Sequence, residues 1–174
     1  MAYQIDISRF AAISEIDCGD EEETALLKRQ AAEADHFIRS FKWCPPVEGI
    51  YLAFGIPKIF ALFLVRFERP VAGHQDQELW IVVGDLPTAY FVIDDAFVPS
   101  EAAEAYCELM EGWAKAVLAK GDLSKVYPVA AAPTDQHAEM LLGRIEFIRE
   151  NMIPIADERP FLVSEPDDPE ATSA

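Results

Sequence analysis

Asp85, Tyr90, Asp94 and Asp95 are the residues of this chain whose types could bind or transform a ligand. Carboxylates at strand ends can present charge to a cation or a substrate, and a nearby phenol can add a hydrogen bond. Turn chemistry explains the same acids, because an Asp carboxylate readily accepts hydrogen bonds from neighbouring backbone amides. A second set, Glu101, Glu104, Glu108 and Glu111, recurs at three- and four-residue spacing, which places it on one face of a helix. Such a face is either solvated or docked on a basic partner.

Other reactive patterns are missing from the sequence. His36, His74 and His137 are isolated, and Glu139 lies two residues beyond His137, off its helix face. No His-Glu-x-x-His or Cys-x-x-Cys spacing occurs, so neither a metal nor another cofactor is expected. Cys18, Cys44 and Cys107 form an odd, widely spaced set that suits neither a disulfide framework nor a zinc site. Cys107, beside an apolar helical stripe, reads as a small hydrophobe. There is no Gly-x-Ser-x-Gly elbow, and the 8 glycines form no phosphate-binding loop. No catalytic residue is assigned on this basis.

Charge narrows the choice of partner. The 174 residues carry 31 acids against 14 bases, a net charge of −17. Residues 1–27 hold seven acids and one base, and residues 151–174 hold six acids and one base. No basic run exists to bind nucleic acid phosphates or an anionic membrane surface. A basic protein fits this balance, and the acidity would also keep an apolar domain soluble. The most hydrophobic stretch, residues 49–65, is interrupted by Gly55, Pro57 and Lys58. Two strands around a turn explain it better than a membrane span. The first nine residues have no apolar leader-like run, and with the cysteine usage this makes a reducing cytoplasm the expected compartment.

The elements that must position these side chains follow from periodicity. Residues 1–19 read as irregular chain lying against the domain. Asp20, with Glu23 three residues on, marks a helix N-cap. The helix is expected to run to about Lys42, burying Leu27, Ala31, Ala34, Ile38 and Phe41, with Pro45 and Pro46 ending it. Strands are expected at 50–54, 58–67, 78–83 and 88–93, and the last would end in Asp94 and Asp95. The 58–67 segment is apolar on both alternations, as in a strand covered on two faces. Ser100 is the expected N-cap of a helix to about Lys120, and Thr134 that of a last helix to about Asn151. The order implies an α+β domain over residues 1–156, a small, mainly antiparallel sheet of three to four strands with an N-terminal helix and two C-terminal helices packed on it. Residues 157–174 read as an acidic, Pro-rich disordered tail.

The run Trp80-Ile-Val-Val-Gly84-Asp85-Leu86-Pro87-Thr88-Ala-Tyr90, followed by a helix bearing Trp113, resembles a bacterial family of domains of unknown function with a Trp-x-x-x-Gly-Asp-Leu-Pro-Thr-x-Tyr core. The resemblance covers residues 78–150, and its specific part is the 80–90 motif. It implies a small bacterial α+β domain and brings no activity with it.

Three functions remain open. The favoured one is a protein-interaction module, for example an immunity-like binder of a basic partner through Glu101, Glu104, Glu108 and Glu111. The second is an enzyme or small-ligand binder using Asp85, Tyr90, Asp94 and Asp95. The third is a homo-oligomeric structural protein with the apolar 49–67 region at a subunit interface.

Overall fold

The computed structural model describes residues 4–158. Residues 159–174, most of the expected tail, lie outside the described residues. Five antiparallel strands form one sheet in sequential order: β1 (Ala11–Ala12), β2 (Val47–Ile56), β3 (Phe60–Phe67), β4 (Glu78–Gly84) and β5 (Ala89–Val92). Helix α1 (Glu21–Arg39) packs on one face, and helices α2 (Pro99–Leu118) and α3 (Asp135–Asn151) pack on the other. The α+β class is as expected, but the sheet has five strands rather than three or four. The extra strand is β1, which pairs Ala11 with Leu52 and Ala12 with Tyr51. Two residues are too few to show an alternation of apolar and polar side chains.

β3 shows why the sheet needs both layers. Ala61, Phe63 and Val65 point into the core shared with α1, while Phe60, Leu62 and Leu64 point into the core shared with α2 and α3. All six are 0 % exposed. Their apolar surface is covered within the chain by the two helical layers. Among the described residues no helix is long and apolar enough to cross a membrane.

Local signals set the helix ends. Asp20 accepts the Glu23 N–H at 2.8 Å, and Thr134 accepts the His137 N–H at 3.2 Å. Helix α1 stops at Arg39, three residues early, and Phe41 and Trp43 turn to stack at 5.3 Å. Helix α2 departs from expectation at its start. Val98 is the N-cap residue, Pro99 fills the first helical position, and Ser100 lies inside the helix. Proline favours that position because its missing N–H has no helical partner there anyway. The cap comes from elsewhere: Asp157 accepts the Ser100 N–H at 2.8 Å and its hydroxyl at 2.5 Å. That carboxylate also complements the positive end of the helix dipole.

A buried ion pair fastens the N-terminal segment. Arg66 donates to Glu78 Oε2 from Nε at 3.0 Å and from Nη2 at 2.9 Å, across the β3–β4 ladder. Glu78 Oε1 accepts the Ile5 N–H at 2.9 Å, and Arg66 donates to the Ile5 carbonyl at 3.0 Å. Both backbone groups of Ile5 thus close on the pair, and Ile5 itself is buried.

The 80–90 motif is structural at most of its positions. Trp80 is fully buried and donates from Nε1 to the Ala96 carbonyl at 2.9 Å, tying β4 to the turn after β5. Gly84 takes φ +148°, and Asp85 then donates its N–H to Ile59 O at 3.1 Å. Pro87 O accepts the Tyr106 hydroxyl at 2.6 Å, which locks the β4–β5 turn to α2. Burial raises the Tyr106 pKa, so this phenol stays a donor.

Candidate functional site

β5 ends at Val92, earlier than expected, and the chain turns sharply into α2. Ala96 donates its N–H to Ile93 O at 2.7 Å, and Asp94 sits in the left-handed region at φ +42°. Asp tolerates that conformation better than most residues. Asp94 and Asp95 therefore project from a turn rather than closing a strand.

Beside this turn lies a cleft of about 700 Å³. Residues 90–96 form one wall. Glu101, Glu104 and Glu108 form the other, from successive turns of α2, and Leu109 and Tyr127 complete the lining. The cleft thus joins residues from both acidic sets recognised in the sequence. Tyr90 belongs to it through its backbone: its carbonyl accepts the Tyr127 hydroxyl at 2.6 Å. The Tyr90 ring lies across the sheet, 5.0 Å from Phe41 and 5.2 Å from Trp43, in the layer of α1.

Asp85 stands apart. It is ion-paired with Arg144 of α3 at 2.8 Å, next to Ile59, Met140 and Phe147. Glu111 is also outside the cleft lining. Arg149 of α3 grips the helical acids from behind, donating to Glu104 at 2.8 to 3.2 Å and to Glu111. Lys115 adds a bond to Glu111 at 2.7 Å. These hydrogen bonds, first that of Lys115 and then that of Arg149, hold the Glu111 carboxyl below its ordinary pKa. The bonds of Glu104 and then Glu111 raise that of Arg149.

The charge left over is specific. Asp94, Asp95, Glu101 and Glu108 are exposed and make no ion pair or side-chain hydrogen bond among the described residues. No three His, Cys, Asp or Glu side chains there converge closely enough to hold a metal ion. Two of the thiols are not activated: burial pushes Cys107 up to about 12 and raises Cys44 as well.

Sequence reasoning missed Arg149, Tyr127 and Trp43 as parts of this region. Arg149 carries no motif, and Tyr127 lies in a loop without periodicity. Trp43 had a weak signal, an aromatic just before the two prolines.

The Arg149 bridge makes a testable contribution to stability. Because Glu111 has a depressed pKa in the folded state, the stabilisation is present above its ordinary value of 4.5 and is lost as pH falls through the lower folded value. Arg149→Met should cost about 1 kcal/mol at pH 7, given the partial exposure of all three side chains. Thermal denaturation of both proteins from pH 7 down to about pH 3 should show the difference shrinking on acidification. A constant difference would mean that the bridge contributes packing alone.

Comparison with family models, with curated proteins and with solved structures returned no match.

Proposed function

We propose that this chain is a protein-interaction module that holds a basic partner in the cleft between β5 and α2. One observation carries the reading. Among the described residues, Asp94, Asp95, Glu101 and Glu108 surround a single cleft whose lining holds no Lys or Arg, while the neighbouring Glu104 and Glu111 are neutralised by Arg149. A cleft lined by one sign of charge concentrates and steers a partner of the other sign. Neutralising a basic protein, as an immunity protein does to a toxin, is the biological form we assign to the module, by analogy with other small acidic domains. Its three free cysteines fit a reducing compartment, and we place the encounter in the cytoplasm.

The test is capture of partners from native lysate by the tagged protein at about 50 mM and about 300 mM salt, with three baits. These are the unaltered chain, Glu101→Lys/Glu108→Lys, and a control with exposed acids reversed elsewhere, Glu33→Lys/Glu139→Lys. A stoichiometric basic protein should be retained by the first and third baits, released as salt rises, and lost from the second. Equal loss from the second and third would reduce the effect to net charge and end the assignment to the cleft.

A further inference from the structure

β5 is an edge strand. It pairs with β4 on one side, and among the described residues no strand lies on the other. The Tyr127 hydroxyl on Tyr90 O shows which residues point their backbone outward. In an antiparallel ladder, residues whose carbonyl faces away from the neighbour alternate with residues bonded to it. Tyr90 and Val92 are therefore the outward-facing pair, and Phe91 bonds to Trp80 across the ladder. Tyr127 covers one outward carbonyl, while among the described residues no neighbouring strand reaches the peptide groups of Val92, whose residue is 39 % exposed.

This edge has a cleft on each face. The acidic cleft lies on the α2 side. A second cleft of about 410 Å³ lies on the α1 side, lined by Trp43, Val71, His74, Asp76, Tyr90 and Val92. Both clefts are bordered by Tyr90 and Val92. An extended chain laid along an edge sends successive side chains to opposite faces of the sheet. Two clefts flanking the same two edge residues match that alternation. A helix placed in the acidic cleft would use only one of them.

We infer that the partner segment adds to the sheet as a strand beside β5, with basic side chains entering the cleft of Glu101 and Glu108 and apolar ones entering that of Trp43 and Tyr90. The outward groups of Val92 and the Tyr90 N–H supply the main-chain hydrogen bonds, as in other strand-addition complexes. Charge complementarity selects lysine or arginine for one face. On the other face the Trp43 and Tyr90 rings and Val71 offer apolar contact. The recognised chemistry is thus an extended segment of alternating basic and apolar residues. This inference rests on the partner-binding reading above and specifies how that partner docks.

Three synthetic peptides separate the possibilities. The first is the acetylated and amidated peptide Lys-Val-Arg-Val-Lys-Val-Arg. The second has the same composition in blocks, without alternation. The third is the alternating peptide with alternate backbone nitrogens methylated, which keeps charge and extension but removes donors to a sheet edge. Binding is measured by titration calorimetry at low salt, and amide hydrogen exchange is followed by NMR. The alternating peptide should bind about tenfold or more tightly than either of the others, since each lost main-chain bond near 1.4 kcal/mol is a factor of ten. It should slow exchange of the Val92 N–H at least about tenfold. Equal binding by all three peptides, without protection of Val92, would overturn strand addition while leaving an acidic cleft that binds cations. No binding by any of them would overturn the strand docking and the partner-binding reading together.

Discussion

Glu78→Ala should cost about 3–5 kcal/mol of stability, the largest effect expected of any polar substitution in this chain. Glu78 is 3 % exposed, and its carboxylate is the counter-ion of Arg66 and the acceptor for the Ile5 N–H. Removing it leaves a mostly buried guanidinium without its counter-ion and a backbone amide unsatisfied. For a chain of this size the midpoint of thermal unfolding should fall by roughly 10 °C or more. Glu78→Gln keeps an oxygen for Ile5 and should lose less. The double replacement Arg66→Met/Glu78→Leu should recover part of the deficit, because no charge is then stranded. It should not recover all of it, since both backbone groups of Ile5 lose their partners. Limited proteolysis should cut near residue 9 faster in Glu78→Ala than in the unaltered chain. A loss below about 1 kcal/mol would show that the pair behaves like a solvated surface pair.

Gly84→Ala should be nearly as damaging, at about 3 kcal/mol. The residue adopts φ +148°, which side-chain-bearing residues rarely take. A Cβ there would meet Ile59 O at 2.4 Å and Ile59 C at 2.9 Å, both backbone atoms that cannot swing aside. Ile59 O is also the acceptor for the Asp85 N–H, so yielding would break that bond and loosen the β2–β3 turn. The controls are Gly112→Ala and Gly143→Ala, in α2 and α3, where an added Cβ meets nothing within 4 Å. Each should stabilise the protein by about 0.5–1 kcal/mol through helix propensity. Urea denaturation measures all three, and a neutral Gly84→Ala would mean that the turn relaxes freely.

What could be read in advance depended on how local the cause was. The caps of α1 and α3 were legible because Asp20 and Thr134 act on amides three residues away. β3 was legible because it is apolar on both alternations, which only a doubly covered strand requires. β1 was not, since two alanines paired with β2 leave no pattern. The start of α2 was misplaced because its cap, Asp157, lies 57 residues from Ser100. The same logic governs the site. Asp94, Asp95, Glu101, Glu104 and Glu108 were each recognisable as candidates. Their convergence on one cleft follows from the sharp β5–α2 turn, whose geometry depends on Trp80 holding Ala96. The removal of Asp85 to another surface depends on Arg144, and the neutralisation of Glu104 depends on Arg149. Both arginines come from α3, and no short-range spacing announces such partners.

The most direct test of partner binding at the β5–α2 cleft is an NMR titration of the isotope-labelled protein with the alternating Lys-Val-Arg-Val-Lys-Val-Arg peptide. The shifted backbone resonances should cluster at residues 90–96 and 101–109, with weaker changes at Trp43 and Val71. The shifts should also fade as salt is raised from about 50 mM to about 300 mM, because exposed carboxylates are screened over that range. Shifts centred instead on Asp85, Arg144 and Phe147, or scattered over the acidic surface, would contradict the assignment of function to this cleft.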